Sequence, residues 1–111
     1  MNCYYNVEIQ MTNGFEMTET LLRQIEISMG AHVTDRDEME TYSAVIFFKS
    51  QVKPTEIRTI LKAILAMHAD SIHYIDVVYR WETEMNADRF VLWADGREQD
   101  YTGRMYFEED K

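Results

Sequence analysis

Three histidines, one cysteine and twenty carboxylates are the side chains of this 111-residue sequence with chemistry to offer, and their spacing decides which chemistry is open. Nucleophilic catalysis needs a Ser, Cys or Thr matched to a histidine and a carboxylate. Cys3 stands at the head of a strand with no such set nearby and reads as an incidental thiol. His32, His68 and His73 include no i, i+4 pair on a helix, the spacing that places two imidazoles on one zinc ion. His68 falls on an apolar helical stripe, where a histidine packs at a core margin, and His73 opens a strand.

The carboxylates are clustered. Asp35, Asp37, Glu38 and Glu40 form one group, Glu82, Glu84 and Asp88 a second, and Asp95, Glu98, Asp100, Glu108, Glu109 and Asp110 crowd the last seventeen residues. Hard cations want several converging oxygens, but the first group lacks the glycine and final glutamate of an EF-hand loop and reads as a solvated loop. Glu82 and Glu84 share a strand face and could serve acid–base chemistry, although such pairs more often face water. No glycine-rich phosphate loop occurs among the four glycines. Tyr74, Tyr79, Trp81 and Trp93 are interleaved with Asp76, Glu82 and Glu84 instead of Lys and Arg, so no RNA-binding surface is visible. The expectation is a non-enzyme with no cofactor and no metal.

Charge carries more information than any motif. Twenty acids against eleven bases leave a formal charge of −9, with an isoelectric point near 4.7. Direct nucleic-acid binding and attachment to an anionic membrane both need clustered Lys and Arg, and both are disfavoured. A basic protein surface is the favoured partner, because complementary potentials speed encounter and fix orientation. Net charge also keeps small proteins soluble, which is the plainer account of it. A single cysteine, eight methionines and the absence of a basic-then-apolar opening point to a cytoplasmic protein.

These residues need elements to position them. Apolar residues at 46% support a core, and the length suits one domain over residues 1–111, with 108–111 as a frayed acidic tail. Alternation from Tyr4 to Met11 predicts a half-buried strand, ended by the turn chemistry of Thr12-Asn13-Gly14. Thr18 caps a helix carrying Leu21, Leu22, Ile25 and Met29 inward and Glu19, Arg23 and Glu26 outward, closed by Gly30. A short strand is expected over 31–34, and a loop over 35–40. Thr41 to Ser50 reads as a central strand buried on both faces. Pro54 starts the clearest helix, with Ile57, Ile60, Leu61, Ile64 and Leu65 on one face and Lys53, Arg58 and Lys62 on the other. Alternation from Ile72 to Glu84 predicts a long strand, Phe90 to Ala94 another, Asp95-Gly96 a hairpin turn, and Arg104 to Phe107 a last strand.

That order predicts an α+β fold of ferredoxin-like βαββαβ type, an antiparallel sheet with two helices on one face and a C-terminal β-hairpin extension. The partner-binding residues expected from it are Asp35, Asp37, Glu38, Glu40, Glu82, Glu84 and Asp88, with Trp81, Tyr101 and Tyr106 as apolar anchors. In size, acidity and lack of motifs the chain resembles small phage-encoded inhibitors of bacterial defence, of the anti-CRISPR and anti-restriction kinds. That resemblance implies an inhibitor in the host cytoplasm whose carboxylates stand in for DNA phosphates on a basic, nucleic-acid-handling protein. The alternative is an assembly module that forms a homodimer through the aromatic face of the sheet.

Overall fold

Tyr5, Val7 and Ile9 alternate with polar residues, and the chain there forms β1 (Cys3–Met11), with every odd side chain buried and every even one half-buried. A strand patterned this way must have a core on one side and none on the other. The computed structural model describes residues 1–31 and 36–101, with only the main chain described for residues 36–38. The further elements are α1 (Glu19–Met29), β2 (Arg36–Met39), β3 (Ser43–Ser50), α2 (Pro54–Met67), β4 (Ile72–Trp81), β5 (Asp88–Trp93) and β6 (Glu98–Tyr101).

The strands form one antiparallel sheet in the order β2-β3-β1-β4-β5-β6. β1 sits between β3 and β4, with Val7 opposite both Ile46 and Val77. One buried cluster joins Tyr5, Val7 and Ile9 to Ile46 and Phe48 of β3, Ile75 and Val77 of β4, and Phe90 and Leu92 of β5. The same cluster takes in Leu22, Ile25 and Met29 of α1 and Ile57, Leu61 and Leu65 of α2, so both helices cover the same face of the sheet. Among the described residues no helix packs on the other face, where Val91 is nevertheless buried.

The helix ends follow their capping residues. Thr18 accepts the Leu21 N–H on its hydroxyl, and Gly30 takes the left-handed conformation with φ 74° that a side chain would resist. Pro54 occupies the first turn of α2, where its missing N–H is not needed.

Several expectations are corrected. Residues 36–39 of the expected acidic loop form strand β2, paired with β3 through Glu38 opposite Val45 and Met39 opposite Ala44. Main-chain pairing at a sheet edge outweighs poor local propensity, and charged sequence is common on edges because it discourages further strand addition. The strand expected over 31–34 falls mostly on residues outside those described. β3 is buried on one face only, with Phe47 48% exposed. Its apolar run Val45-Ile46-Phe47-Phe48 feeds the core from alternate positions and leaves the others on the open face. Glu26, expected outward, is fully buried on α1. β5 begins at Asp88, two residues before the expected start at Phe90, and the last described strand is β6 at 98–101. The strand expected over Arg104–Phe107 and the tail 108–111 lie outside the described residues.

Candidate functional site

Strand direction decides where each loop emerges. β1 runs about 26 Å from Cys3 to Met11 at about 3.3 Å per residue, and three loops meet beyond its Met11 end. The Met11 N–H donates to the Tyr42 carbonyl at 2.9 Å, Thr12 N–H to the Ser71 carbonyl at 2.8 Å, and Met17 N–H to the Thr41 carbonyl at 2.7 Å. Gln10 Nε2 adds a bond to the Tyr42 carbonyl at 3.2 Å. Loop 12–17 is thereby tied to loop 40–42 and to loop 68–71, beside the end of β1. Each is also closed locally. Gly14 at φ 89° turns the first, with Phe15 N–H on the Thr12 carbonyl. Glu40 N–H on the Ser43 carbonyl closes the second, and Ser71 N–H on the His68 carbonyl the third.

This end presents Glu16, Glu40 and Asp70, all exposed, beside Phe15 at 45% and Tyr42 at 52% exposure. Among the described residues none of these three carboxylates has a cation within ion-pair distance. Unneutralised acid and exposed aromatic area on a fixed main chain make a surface able to hold a cationic, partly apolar partner.

Of the site residues read from sequence, only Glu40 among the described side chains belongs to this end. Asp35 and Tyr106 lie outside the described residues, as do the side chains of Asp37 and Glu38, whose main chain runs along β2. Glu82 and Glu84 sit at the opposite end of the sheet. There Glu82 Oε1 accepts the Asn2 N–H at 3.0 Å, and the Glu84 carbonyl accepts from Arg80 Nη1 at 2.8 Å. Trp81, opposite Cys3, packs half-buried against the core. Asp88 opens β5 opposite Tyr79. Glu40 and the Glu82–Glu84 pair therefore stand at opposite ends of the sheet.

Of the C-terminal acids, Asp95, Glu98 and Asp100 are paired with cations in space, and Glu108, Glu109 and Asp110 lie outside the described residues. Glu98 and Asp100 of β6 reach back to α2, where Arg58 Nη1 meets Glu98 at 3.2 Å, Lys62 Nζ meets Glu98 at 2.8 Å, and Arg58 Nη2 contacts Asp100. The Lys62 hydrogen bond, with Arg58 second, holds the Glu98 carboxyl below its ordinary pKa, and the Asp100 hydrogen bond chiefly raises the Arg58 guanidinium. Arg97 closes on Asp95 at 2.8 Å, where the Arg97 backbone N–H does most to lower the Asp95 carboxyl. Arg58 and Lys62 of the basic face expected on α2 are thus engaged within the molecule, while Lys53 is exposed.

The helix-free sheet face is neither acidic nor purely aromatic. Cross-strand register lines up Lys49, Tyr4 and Arg80, then Phe47, Asn6, Val78 and Arg89, then Val45, Glu8, Asp76 and Val91, then Ser43, Gln10, Tyr74 and Trp93. Asp76 takes a two-pronged bond from Arg89 at 3.0 and 2.9 Å, and Glu8 accepts the Tyr74 hydroxyl at 3.1 Å. Guanidinium groups cover one face of Tyr4, Tyr101 and Trp93, at 5.0, 4.7 and 4.8 Å from the ring centroids. Tyr79 and Trp81, expected among the aromatics available to this face, pack against the core on the helix side.

Sequence reasoning missed Phe15, Glu16, Tyr42 and Asp70 because they come from three loops. One local signal existed: an aromatic within a tight turn, as at Phe15 and Tyr42, has few ways to reach a core. Among the described residues no three His, Cys, Asp or Glu side chains converge as a metal site would require, and no helix is long and apolar enough to cross a membrane. No protein-family model, curated protein or solved structure matches the chain.

Proposed function

We propose that the protein is a non-catalytic binding protein, built on a ferredoxin-like domain with a hairpin extension, that docks the acidic end of its sheet on a basic protein surface. The strand order β2-β3-β1-β4, with a helix between β1 and β2 and another between β3 and β4, supports the fold assignment. The observation that carries the function is the grouping of Glu16, Glu40 and Asp70 with Phe15 and Tyr42 on three loops, of which 12–17 is hydrogen-bonded to both of the others. Carboxylates set orientation and encounter rate, and the two rings supply the apolar anchors from which interface energy mostly comes. Proteins that handle nucleic acid are basic by necessity, since they neutralise phosphates, and they are the partner class we assign. Docking there competes with the nucleic acid, which makes the protein an inhibitor of its partner.

The experiment is affinity capture followed by quantitative binding to the recovered partner, with duplex DNA as competitor. Binding is expected to weaken with salt, to be displaced by DNA, and to be lost in the Glu16→Lys, Glu40→Lys, Asp70→Lys triple variant. A partner that binds the folded triple variant as well as the wild type defeats the assignment.

A further inference from the structure

A cleft opens across the Cys3 end of β1. β3 and β4 flank β1 and both run toward this end, so the segments that follow them, 51–53 and 82–84, emerge on either side of it. With neighbouring strands about 4.8 Å apart, the two segments stand about 10 Å from one another. Gln51 and Lys53 line one wall, Thr83 and Glu84 the other, and Met1 and Trp81 lie between, around a volume of about 470 Å³. Small-molecule sites occupy roughly 300–1,000 Å³. The walls are tied down. Val52 N–H donates to Ser50 Oγ at 3.0 Å on one side. On the other, Glu82 N–H donates to the Asn2 carbonyl at 3.1 Å and Glu84 N–H to the Trp81 carbonyl at 3.0 Å.

The two walls carry opposite charges that do not meet. Lys53 and Glu84 are both exposed, and among the described residues neither side chain has an ion-pair partner, each other included. A ligand bearing both charges closes that gap, with its carboxylate at Lys53 and its ammonium at Glu84. Lys53 also precedes α2, whose N-terminus no side chain caps, so the positive end of the helix dipole adds to the cationic wall. Trp81 packs on the core with part of its ring left exposed, and with Met1 it offers apolar contact between the walls. The Gln51 amide and the Thr83 hydroxyl can complete the hydrogen bonding. A formal charge of −9 repels a simple anion but not a ligand whose charges cancel. The end of a peptide carries only one of the two charges. A free α-amino acid carries both, next to its side chain.

We infer that the cleft between residues 51–53 and 82–84 binds a free amino acid with an apolar side chain, its carboxylate on Lys53, its ammonium on Glu84 and its side chain against Trp81. The acidic loops proposed to dock on a basic protein lie at the opposite end of β1, so each site can be tested without the other.

Titration with L-leucine, L-methionine and L-phenylalanine tests it, followed by calorimetry on the wild type and by Trp81 fluorescence in a Trp93→Phe variant, which leaves one of the two tryptophans. At least one of the three is expected to bind saturably with a dissociation constant near 1 mM or below. Lys53→Met and Glu84→Gln change exposed side chains and should keep the wild-type circular dichroism. Each is expected to weaken binding about tenfold or more, the loss of one charge-assisted hydrogen bond. The N-acetyl and amide derivatives of the same amino acid, each lacking one charge, should weaken it as much. No saturation with any of the three by about 10 mM overturns the inference, and so does unchanged affinity in either folded variant. A derivative that binds as tightly as the parent amino acid also overturns it, in favour of a peptide end.

Discussion

Replacing Arg58 tests how the C-terminal hairpin is held to the rest of the domain. Arg58 projects from α2 with its guanidinium 4.3 Å from the Phe90 ring centroid, and it bridges Glu98 and Asp100 on β6. Its side chain keeps 26% of its accessible surface. A cation–ring contact at such partial exposure contributes about 1 kcal/mol. The aliphatic stem covering Phe90 contributes about 1 kcal/mol more. The ion pairs to exposed carboxylates add little. Arg58→Ala should therefore cost about 2 kcal/mol, and Arg58→Met, which keeps an apolar stem, about 1 kcal/mol. Urea unfolding at neutral pH measures both. Hydrogen exchange should localise the change to the β5–β6 ladder, where Phe90 pairs with Asp100 and Leu92 with Glu98. Acid titration supplies a signed control. The folded-state pKa of Glu98 is lowered, first by the Lys62 hydrogen bond and then by Arg58, so its contribution is complete above the unfolded value, about pH 4.3, and disappears as pH falls through the lower folded value. Arg58→Ala should flatten that loss. If both variants stay within about 0.5 kcal/mol of the wild type, with β6 exchange unchanged, the contact of Arg58 with Phe90 does not hold the hairpin.

Two further outcomes follow from the core. Leu61 on α2 is fully buried among both helices and the sheet, so Leu61→Ala should cost about 3 kcal/mol by chemical denaturation, and a loss below about 1 kcal/mol would contradict its place there. The Cys3 thiol is buried and its pKa is raised, mainly by desolvation. A thiol-specific reagent should label it very slowly in the native protein and rapidly in urea, and fast native labelling would show that the β1 edge of the core is open.

Periodicity identified the elements that bury a face. β1, α1, α2 and β4 each repeat their apolar residues at the spacing of their own geometry, so local sequence is enough to find them. β2 shows no such repeat, because an edge strand is stabilised by main-chain bonds to β3 that no side-chain pattern announces. The same limit explains β3, where a continuous apolar run serves a buried strand and a one-sided strand equally well. Glu26 looks solvent-facing from composition alone, yet the helix turns it inward. The candidate site was less legible still. Of its five residues only Glu40 stood in an acidic group along the chain.

Sequence by itself determined the α+β class of the fold, the helix caps at Thr18 and Gly30 and the inward faces of β1, α2 and β4. Each of these depends on neighbours a few residues apart, and such spacing is fixed by backbone geometry. Tertiary structure alone decided which acids remain unpaired. Asp95, Glu98 and Asp100 meet Arg97, Arg58 and Lys62, whereas Glu16, Glu40 and Asp70 are brought together at the Met11 end from loops some 24 to 54 residues apart. Electrostatic interaction depends on distance through space, and only the folded sheet sets that distance.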